Sequence, residues 1–194
     1  MSERNIAAVV LAAGASTRLG KPKQLAVMGG ETLLERAVRT AREAGCVPIV
    51  VVLGASYLEV LAGTYGTLGD AIPVINDKWQ KGMATSIGLG VRTLALVAKS
   101  ADGVVLMTCD QPAVTASHLR ELCAEPELIA GSGYAGKIGI PAYFPCSRFD
   151  ELMKLSGDTG ARALLRGART VNSEELALDI DTEDDLKRAR ELFG

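Results

Sequence analysis

Small residues and cations alternate directly after the first apolar segment of the chain. Residues 11–24 read Leu-Ala-Ala-Gly-Ala-Ser-Thr-Arg-Leu-Gly-Lys-Pro-Lys-Gln. Because a loop of Gly, Ala and Ser lets backbone N–H groups approach an anion closely, this pattern predicts a phosphate-binding loop. Arg18 and Lys23 add cationic donors for the same phosphates. A plain surface turn is the alternative, but a turn requires one or two glycines rather than small residues interleaved with cations.

Carboxylates follow two later apolar segments. Asp110 comes directly after Val-Val-Leu-Met-Thr-Cys, and Asp179 and Asp181 lie two positions apart near the end of the chain. In a strand, residues two apart share one face, so the two later aspartates could act together. One or two carboxylates plus substrate phosphates suit Mg²⁺. Asp110 could instead cap a helix or turn, and Asp181 could be a turn residue.

Two further segments carry polar or glycine-rich patterns. Residues 76–86 run from a strand end into a helix start, where Gly82 and Ser86 could present N–H groups and a hydroxyl to an anion. Helix capping explains Ser86 equally well, and Trp79 could be a core anchor. Residues 131–136 match G-x-G-x-x-G, but this motif requires a helix next. Strand-like residues with two prolines follow instead, so we interpret the glycines as a hairpin turn.

Strand-like and helix-like segments alternate along the chain, which favours a mostly parallel sheet with helices on both faces. We expect an α/β protein of three layers (α/β/α, Rossmann-like) with an inserted hairpin region, forming one domain over residues 1–194. The predicted strands are residues 6–12, 48–53, 72–75, 103–107, 128–134, 138–144 and 176–180. The predicted helices are residues 32–44, 57–62, 83–98, 116–123, 149–155, 159–165 and 183–192, with Thr182 as the N-cap of the last helix.

Composition excludes several classes of protein. The chain has 194 residues, 48% of them hydrophobic, and a net charge of −2. Apolar content this high argues against disorder, and the absence of a basic block argues against nucleic-acid binding. No apolar run reaches the ~18 residues of a membrane span, and the N-terminal apolar run is interpreted as a buried strand rather than a signal peptide.

The four cysteines form no C-x-x-C pair, which is typical of free thiols in a reducing cytoplasm. His118 is the chain's one histidine and lies at a predicted helix start. We therefore expect it to be a surface or capping residue, and we expect neither a structural zinc site nor a histidine-dependent catalytic triad.

Taken together, these motifs resemble those of the MobA/MocA-like nucleotidyltransferases, and most closely the branch of molybdenum cofactor cytidylyltransferases. The family opening L-A-A-G-x-S-x-R-x-G-x-x-K stands at residues 11–23, and N-x-x-W-x-x-G-M-x-x-S at residues 76–86. Cys-Asp-Gln-Pro, Gly-Asp-x-Gly-Ala-Arg-x-Leu-Leu and Asp-Ile-Asp-Thr-x-Asp-Asp follow at residues 109–112, 157–165 and 179–185. The resemblance covers nearly the whole chain in order.

Two positions depart from the family pattern. Ile140 stands in Gly139-Ile-Pro141 where many relatives have G-H-P. Because isoleucine cannot form a side-chain hydrogen bond, the acceptor could differ from molybdopterin. Glu183 stands where relatives often have proline, and an acid suits a helix start as well.

The resemblance implies transfer of a nucleoside monophosphate from an NTP to a phosphorylated acceptor, with release of pyrophosphate. Residues 11–14 read Leu-Ala-Ala-Gly, which resembles the cytidine branch of the family. The guanosine branch tends to have Leu-x-Gly-Gly there, so the resemblance favours CTP. By resemblance Mg²⁺ is the cofactor, held by Asp110 and one of the two later aspartates. Asp181 is favoured over Asp179, and the choice between them stays open. The residues so implied are catalytic Arg18, Lys23 and Asp110; nucleotide-binding Leu11, Ala12, Ala13, Gly14, Ser16, Arg18, Lys23 and Gly54; and acceptor-binding Gly82, Ser86, Gly139 and Pro141.

Three alternatives stay open at this stage. The first is a different nucleotidyltransferase, using GTP or another phosphorylated acceptor at the same site. The second is a non-catalytic nucleotide-binding module that assists a molybdenum enzyme, although binding alone does not need the pair of metal-binding carboxylates. The third is redox chemistry on an aromatic ligand, for which the sequence offers no cofactor motif. We expect no nucleic-acid partner and no membrane partner.

Overall fold

The computed structural model describes residues 4–157 and 160–193. Its strands are β1 (Ile6–Ala12), β2 (Val27–Met28), β3 (Glu31–Thr32), β4 (Ile49–Leu53), β5 (Ile72–Ile75), β6 (Gly103–Thr108), β7 (Ala130–Tyr134), β8 (Lys137–Pro145) and β9 (Arg169–Asn172). Its α-helices are α1 (Leu33–Glu43), α2 (Tyr57–Gly63), α3 (Met83–Val97), α4 (Ala116–Leu122), α5 (Phe149–Met153) and α6 (Glu183–Phe193).

One seven-stranded sheet runs through the molecule in the spatial order β5–β4–β1–β6–β8–β7–β9. Strands β5, β4, β1 and β6 pair in parallel. Strand β8 runs antiparallel to both β6 and β7, and β9 is parallel to β7. Within this sheet β8 therefore runs against the other six strands, which confirms the mostly parallel sheet with an inserted hairpin.

Helices cover both faces of this sheet. Helices α1 and α4 pack on one face, and α3 and α5 on the other. Strands β1 and β4 are buried along their whole length, as expected for parallel strands between two helical layers. The glycines of α3 serve this packing, since a Cβ on Gly90 would lie 2.5 Å from Cγ1 of Val9. The three-layer α/β/α prediction is confirmed.

A smaller apolar cluster lies beside the main sheet. Helix α6 packs on the short hairpin of β2 and β3, and Arg190 donates to the carbonyl of Val27. The cluster also buries Leu19 and Ile180, from the segments before β2 and before α6. It therefore fixes the loop after β1 to the loop that carries the last aspartates. Thr182 accepts from the backbone of Asp185, so the predicted N-cap is confirmed.

Two predictions near the C-terminus are wrong or incomplete. Residues 176–180 do not form a strand: Glu174–Ala177 is a 3₁₀ turn, and an irregular segment follows. The alternating apolar residues suggest one buried strand face, but Leu176 and Ile180 are buried in two different apolar clusters. The last strand is β9, whose mostly polar residues hide it in the sequence. Of the helix predicted over 159–165, Arg162–Leu165 is a 3₁₀ turn, and Asp158 and Thr159 of the matching motif lie outside the described residues.

His118 was predicted to be a surface or capping residue, and the structure places it elsewhere. The side chain is buried between α4 and the sheet and is only 9% exposed, so the predicted surface position is wrong. Thr115, not His118, is the capping residue of α4. In the part of the chain that the structure describes, no helix has the length and apolar character needed to cross a membrane.

Candidate functional site

The predicted site residues gather at one edge of the sheet. Strands β1, β4, β5 and β6 are parallel, so the loops that follow them leave from the same edge. This edge is where ligands bind in open α/β sheets. The start of the oppositely directed β8 lies there as well. Two of the cavities formed by the described residues contain predicted site residues at this edge.

The first cavity, here called the loop-side cavity, has a volume of about 300 Å³. Its walls come from the loop after β1, the start of α3 and the end of β6. It is lined by Leu11, Ala12, Ala13, Gly14, Lys23, Gln24, Trp79, Met83, Ser86, Thr108, Cys109 and Asp110. Five of the predicted nucleotide-binding residues, Leu11 to Gly14 and Lys23, therefore lie together.

Ser16, Arg18 and Gly54 support this cavity without lining it. The Ser16 hydroxyl accepts from the backbone N–H of Lys23 at 3.0 Å and so closes the loop. Gly54 packs beneath the loop, where a Cβ would lie 2.7 Å from the Ala13 carbonyl oxygen. Arg18 is largely exposed and pairs with Asp181 at 2.5 Å.

Gln24 is a site residue that the sequence reasoning missed. Its side chain is almost fully buried, and its Nε2 donates to the carbonyls of Ala12 at 2.7 Å and Gly14 at 3.1 Å. Its Oε1 accepts no hydrogen bond from the described residues. Gln24 therefore holds the end of β1 and the glycine loop in one arrangement. Its place directly after Lys23 is the available sequence signal.

Lys23 lies at the centre of an ion-pair cluster. Its Nζ is 2.7 Å from Oδ2 of Asp110 and 2.8 Å from Oδ1 of Asp181, and it also donates to the carbonyl of Ile180. Only 13% of the side chain is exposed. Burial alone would lower the pKa of Lys23, but the two carboxylates outweigh it and raise that pKa above its ordinary value. The ammonium is therefore charged at any physiological pH.

Asp179 lies near this cluster without joining its ion pairs. No group of the described residues donates a hydrogen bond to its carboxylate. Asp179 and Asp110 both line a second cavity, which is described below. Burial, together with the charges of Asp110 and Asp181, raises the pKa of Asp179 to about 6. Gln111, which was not predicted, anchors the segment that carries Asp179 by donating to the carbonyl of Leu176 at 3.1 Å.

The second cavity, here called the hairpin-side cavity, has a volume of about 380 Å³. It combines apolar and aromatic walls with two cations, Lys137 and Arg162. It is lined by Met83, Thr108, Asp110, Gln111, Tyr134, Lys137, Ile138, Gly139, Ile140, Ala161, Arg162, Leu165 and Asp179. Met83, Thr108 and Asp110 line both cavities, so the two spaces meet at the end of β6.

The predicted acceptor-binding residues separate in the structure. Gly139 lines the hairpin-side cavity, whereas Ser86 lines the loop-side cavity and accepts from Asn76 at 2.9 Å. Gly82 precedes α3 with a φ of 100° and lines neither cavity. Pro141 is buried behind the wall that Gly139 forms.

The carboxylates suit a hard divalent cation. Asp110 and Asp179 offer only oxygen ligands and both reach the hairpin-side cavity. Among residues 4–157 and 160–193, no three His, Cys, Asp or Glu side chains form a complete ligand set. A partial set fits Mg²⁺, which keeps several waters or substrate oxygens. Cys109 adds no thiolate, because burial raises its pKa to about 12.

Several known proteins resemble this chain along most of its length. Residues 8–175 match the family model of the MobA-like NTP transferase domain. The chain is 32% identical to the purine catabolism protein PucB of Bacillus subtilis, over 94% of each chain. It is 30% identical to nicotine blue oxidoreductase of Paenarthrobacter nicotinovorans, over 94% of this chain and 95% of that protein.

A solved structure shows the same fold. Rv0371c from Mycobacterium tuberculosis superposes with a TM-score of 0.82 and 34% identity, over 98% of this chain and 100% of that one. A second structure of that protein is a complex with manganese, and it superposes with a TM-score of 0.75 over 98% of this chain and 100% of that one. The fold is therefore shared along nearly the whole length.

Proposed function

Because the chain belongs to the MobA-like NTP transferase family, we propose that it transfers CMP from CTP to the phosphate of a pterin cofactor such as molybdopterin. The observation that carries this proposal is the junction of the two cavities at Asp110. A nucleotide in one cavity and an acceptor in the other would bring their phosphates together there. Such juxtaposition supplies much of the rate enhancement in phosphoryl-type transfer.

The chemistry requires neutralisation of charge more than covalent help from the protein. An oxygen of the acceptor phosphate attacks the α-phosphorus in line, and the bond from that phosphorus to the leaving pyrophosphate oxygen breaks. Lys23 would stabilise the charge that develops on the α-phosphate and on pyrophosphate, and Arg18 would bind the outer phosphates. Both cations now pair with Asp181, so we infer that phosphates compete with Asp181 for them.

The metal site belongs to this proposal as well. The sequence analysis paired Asp110 with Asp181 as metal ligands, and we propose Asp179 in place of Asp181. Asp181 pairs with two cations, Lys23 and Arg18, and Asp110 with Lys23 alone. Asp179 pairs with no cation of the described residues and lines the hairpin-side cavity together with Asp110. Bound there, Mg²⁺ would neutralise phosphate charge. The manganese complex of Rv0371c supports a divalent cation in this fold.

The nucleobase and the acceptor would bind in different cavities. Leu11 to Gly14 would contact the base through their backbone, with Trp79 beside it in the loop-side cavity. On the acceptor side, Tyr134 and Ile140 offer apolar surface to a flat ring, and Lys137 and Arg162 offer charge to anionic groups. We also propose that the chain acts as one cytoplasmic domain and delivers its product to a molybdenum enzyme.

Calorimetric titration with CTP, GTP and ATP, each with and without Mg²⁺, tests the proposal. We expect CTP to bind tightly only with Mg²⁺, and Asp110→Ala to remove this dependence. Asp150→Ala, an exposed carboxylate on α5, is the matched control and should bind as the wild type does. A preference for GTP would assign the chain to the guanylyl branch.

A second candidate follows from one relative. A protein 30% identical to this chain is named nicotine blue oxidoreductase, and redox chemistry on an aromatic ligand is one of the alternatives that the sequence leaves open. The apolar wall of the hairpin-side cavity would suit such a ligand. Failure of all three nucleotides to bind would favour this candidate or a non-catalytic module over nucleotidyl transfer.

A further inference from the structure

The β7–β8 ladder is interrupted at one place. Gly131 lies opposite Ala142, but the next residue, Ser132, lies opposite Gly139. Ile140 and Pro141 therefore bulge out of β8 without partners on β7, and Pro141 has no N–H to offer. Two consecutive carbonyl groups leave the regular ladder, and each needs another hydrogen-bond donor.

Side chains of β7 supply both donors. The Ser132 hydroxyl donates to the carbonyl of Pro141 at 2.6 Å, and the Tyr134 hydroxyl donates to the carbonyl of Ile140 at 2.9 Å. Ser132 is fully buried. Loss of its hydroxyl would leave a buried carbonyl without this donor, which is costly. The shape of the bulge thus depends on two hydroxyl groups.

His118 completes this network from α4. Its Nε2 lies 2.7 Å from Oγ of Ser132. Serine has one hydroxyl hydrogen, and the Pro141 carbonyl can only accept, so Oγ must accept from the imidazole. His118 therefore carries its hydrogen on Nε2. Burial lowers the pKa of His118 and so favours the neutral ring, which has a single N–H.

The bulge forms part of the hairpin-side cavity. Gly139 and Ile140 line that cavity together with Tyr134, whereas Ser132 and His118 lie behind them. We propose that His118 and Ser132 are positioning residues that fix the bulge and so set the shape of the acceptor wall. This inference rests on the proposed function, in which that cavity receives the acceptor.

Three variants test this proposal. Ser132→Ala removes the donor to Pro141, and His118→Leu removes the donor to Ser132. His118→Gln keeps an N–H near the place of Nε2 and should restore the arrangement. Thr64→Val is the matched control, because the Thr64 hydroxyl also donates to a buried backbone carbonyl, that of Val60, and Thr64 lines neither cavity.

The first readout needs no acceptor. In spectra of protein labelled at the isoleucine methyl groups, we expect the Ile140 signal to move in Ser132→Ala and His118→Leu. It should stay in place in His118→Gln and in Thr64→Val. An Ile140 signal that stays unchanged in both disruptive variants would overturn the proposal, whatever reaction the protein catalyses.

The second readout uses molybdopterin as the acceptor probe. We expect the KM for molybdopterin to rise on the order of tenfold in Ser132→Ala and His118→Leu, the value of one lost buried hydrogen bond. The KM for CTP and kcat should stay within about twofold of the wild type, as one expects when uniform binding alone is lost. An equal rise of both KM values would reject the positioning role. Wild-type protein that does not use molybdopterin would refute the proposed acceptor, and the methyl spectra would still decide the role of His118.

Discussion

The two cavities are built in different ways. The loop-side cavity takes six of its twelve lining residues from the contiguous stretch 11–24, and the others from residues 79–86 and 108–110. The hairpin-side cavity takes its lining from β6, the β7–β8 hairpin, the 3₁₀ turn at Arg162–Leu165 and the loop with Asp179. A contiguous motif thus forms one wall of the site, whereas tertiary packing must assemble the other.

Their polar groups differ in the same way. On the loop side, Lys23 is held by two carboxylates, and Gln24 holds the backbone of the glycine loop. On the hairpin side, Tyr134 and the Ser132–His118 pair hold a bulge whose apolar residue faces the cavity. We expect changes on the loop side to affect every substrate nucleotide, and changes on the hairpin side to affect the acceptor alone.

The largest effect is expected at Asp110, which belongs to both cavities. Asp110→Asn removes the negative charge of the proposed metal ligand, which is also the charge that pairs with Lys23, while keeping the size of the side chain. We expect kcat to fall on the order of 10³-fold, comparable with the loss of a strong electrostatic contact in the transition state. Steady-state release of pyrophosphate measures this, with Asp150→Asn as the control. A kcat within tenfold of the wild-type value would contradict the proposal that Asp110 binds the metal.

Lys23→Met should give the second-largest loss of kcat. The substitution keeps the length of the side chain but removes the charge that faces the phosphates. A loss of ~3 kcal/mol of transition-state stabilisation is expected. Arginine at this position should recover part of the rate because it keeps the charge. An unchanged kcat in Lys23→Met would exclude a catalytic role.

Gln24→Met isolates the loop side. The variant loses two hydrogen bonds to the carbonyls of Ala12 and Gly14 and keeps a similar volume. We expect the Kd for nucleotide to rise on the order of tenfold, and acceptor binding to stay unchanged. Calorimetry with CTP and with molybdopterin separates the two. Equal weakening of both ligands would mean that the cavities are not independent.

Ile140→Ala is the corresponding change on the hairpin side. It removes apolar surface that the acceptor would cover, so we expect acceptor KM to rise about fivefold. The Kd for nucleotide should not change. The opposite result, weaker nucleotide binding with an unchanged acceptor KM, would place the nucleotide in the hairpin-side cavity and reverse the assignment of the two spaces.

The smallest effects are expected from two capping threonines. Thr32 caps α1 and Thr182 caps α6, and each accepts from the third backbone N–H of its helix. Replacing either by alanine should lower the free energy of unfolding by about 1 kcal/mol. Thr182 adjoins Asp181, so Thr182→Ala alone should also weaken binding of nucleotide. Thermal denaturation of both variants with and without CTP tests this. If CTP raised the melting temperature of Thr32→Ala and Thr182→Ala equally, the effect of Thr182 on nucleotide binding would be contradicted.

Local patterns were sufficient for much of the molecule. The apolar runs of β1 and β4, the amphipathic α1 and the hairpin turn at Ala135 and Gly136 appear where the sequence predicts them. The glycine loop and Lys23 also lie together as expected. In each case the determinants are neighbours in the chain, or residues on one face of a single element.

The hairpin itself was predicted, but the other elements that surround the hairpin-side cavity could not be predicted in this way. The strand predicted over 176–180 is absent because its alternating apolar residues are buried in two different clusters. His118 was expected at the surface, but it meets Ser132 from another element. Such outcomes depend on which elements become neighbours, and the chain around His118 does not contain that information.

Short-range pattern and residue chemistry were enough to predict the order of the main-sheet strands and helices through α5, the glycine loop after β1 and the aspartates available to a metal. The tertiary structure alone decided that Asp181 pairs with Lys23 and Arg18 while Asp179 reaches the second cavity. It also decided that Gln24, Ser132 and His118 hold the walls in place. Those roles depend on burial and on donors from distant segments, because a buried polar group must find its partner wherever packing provides one.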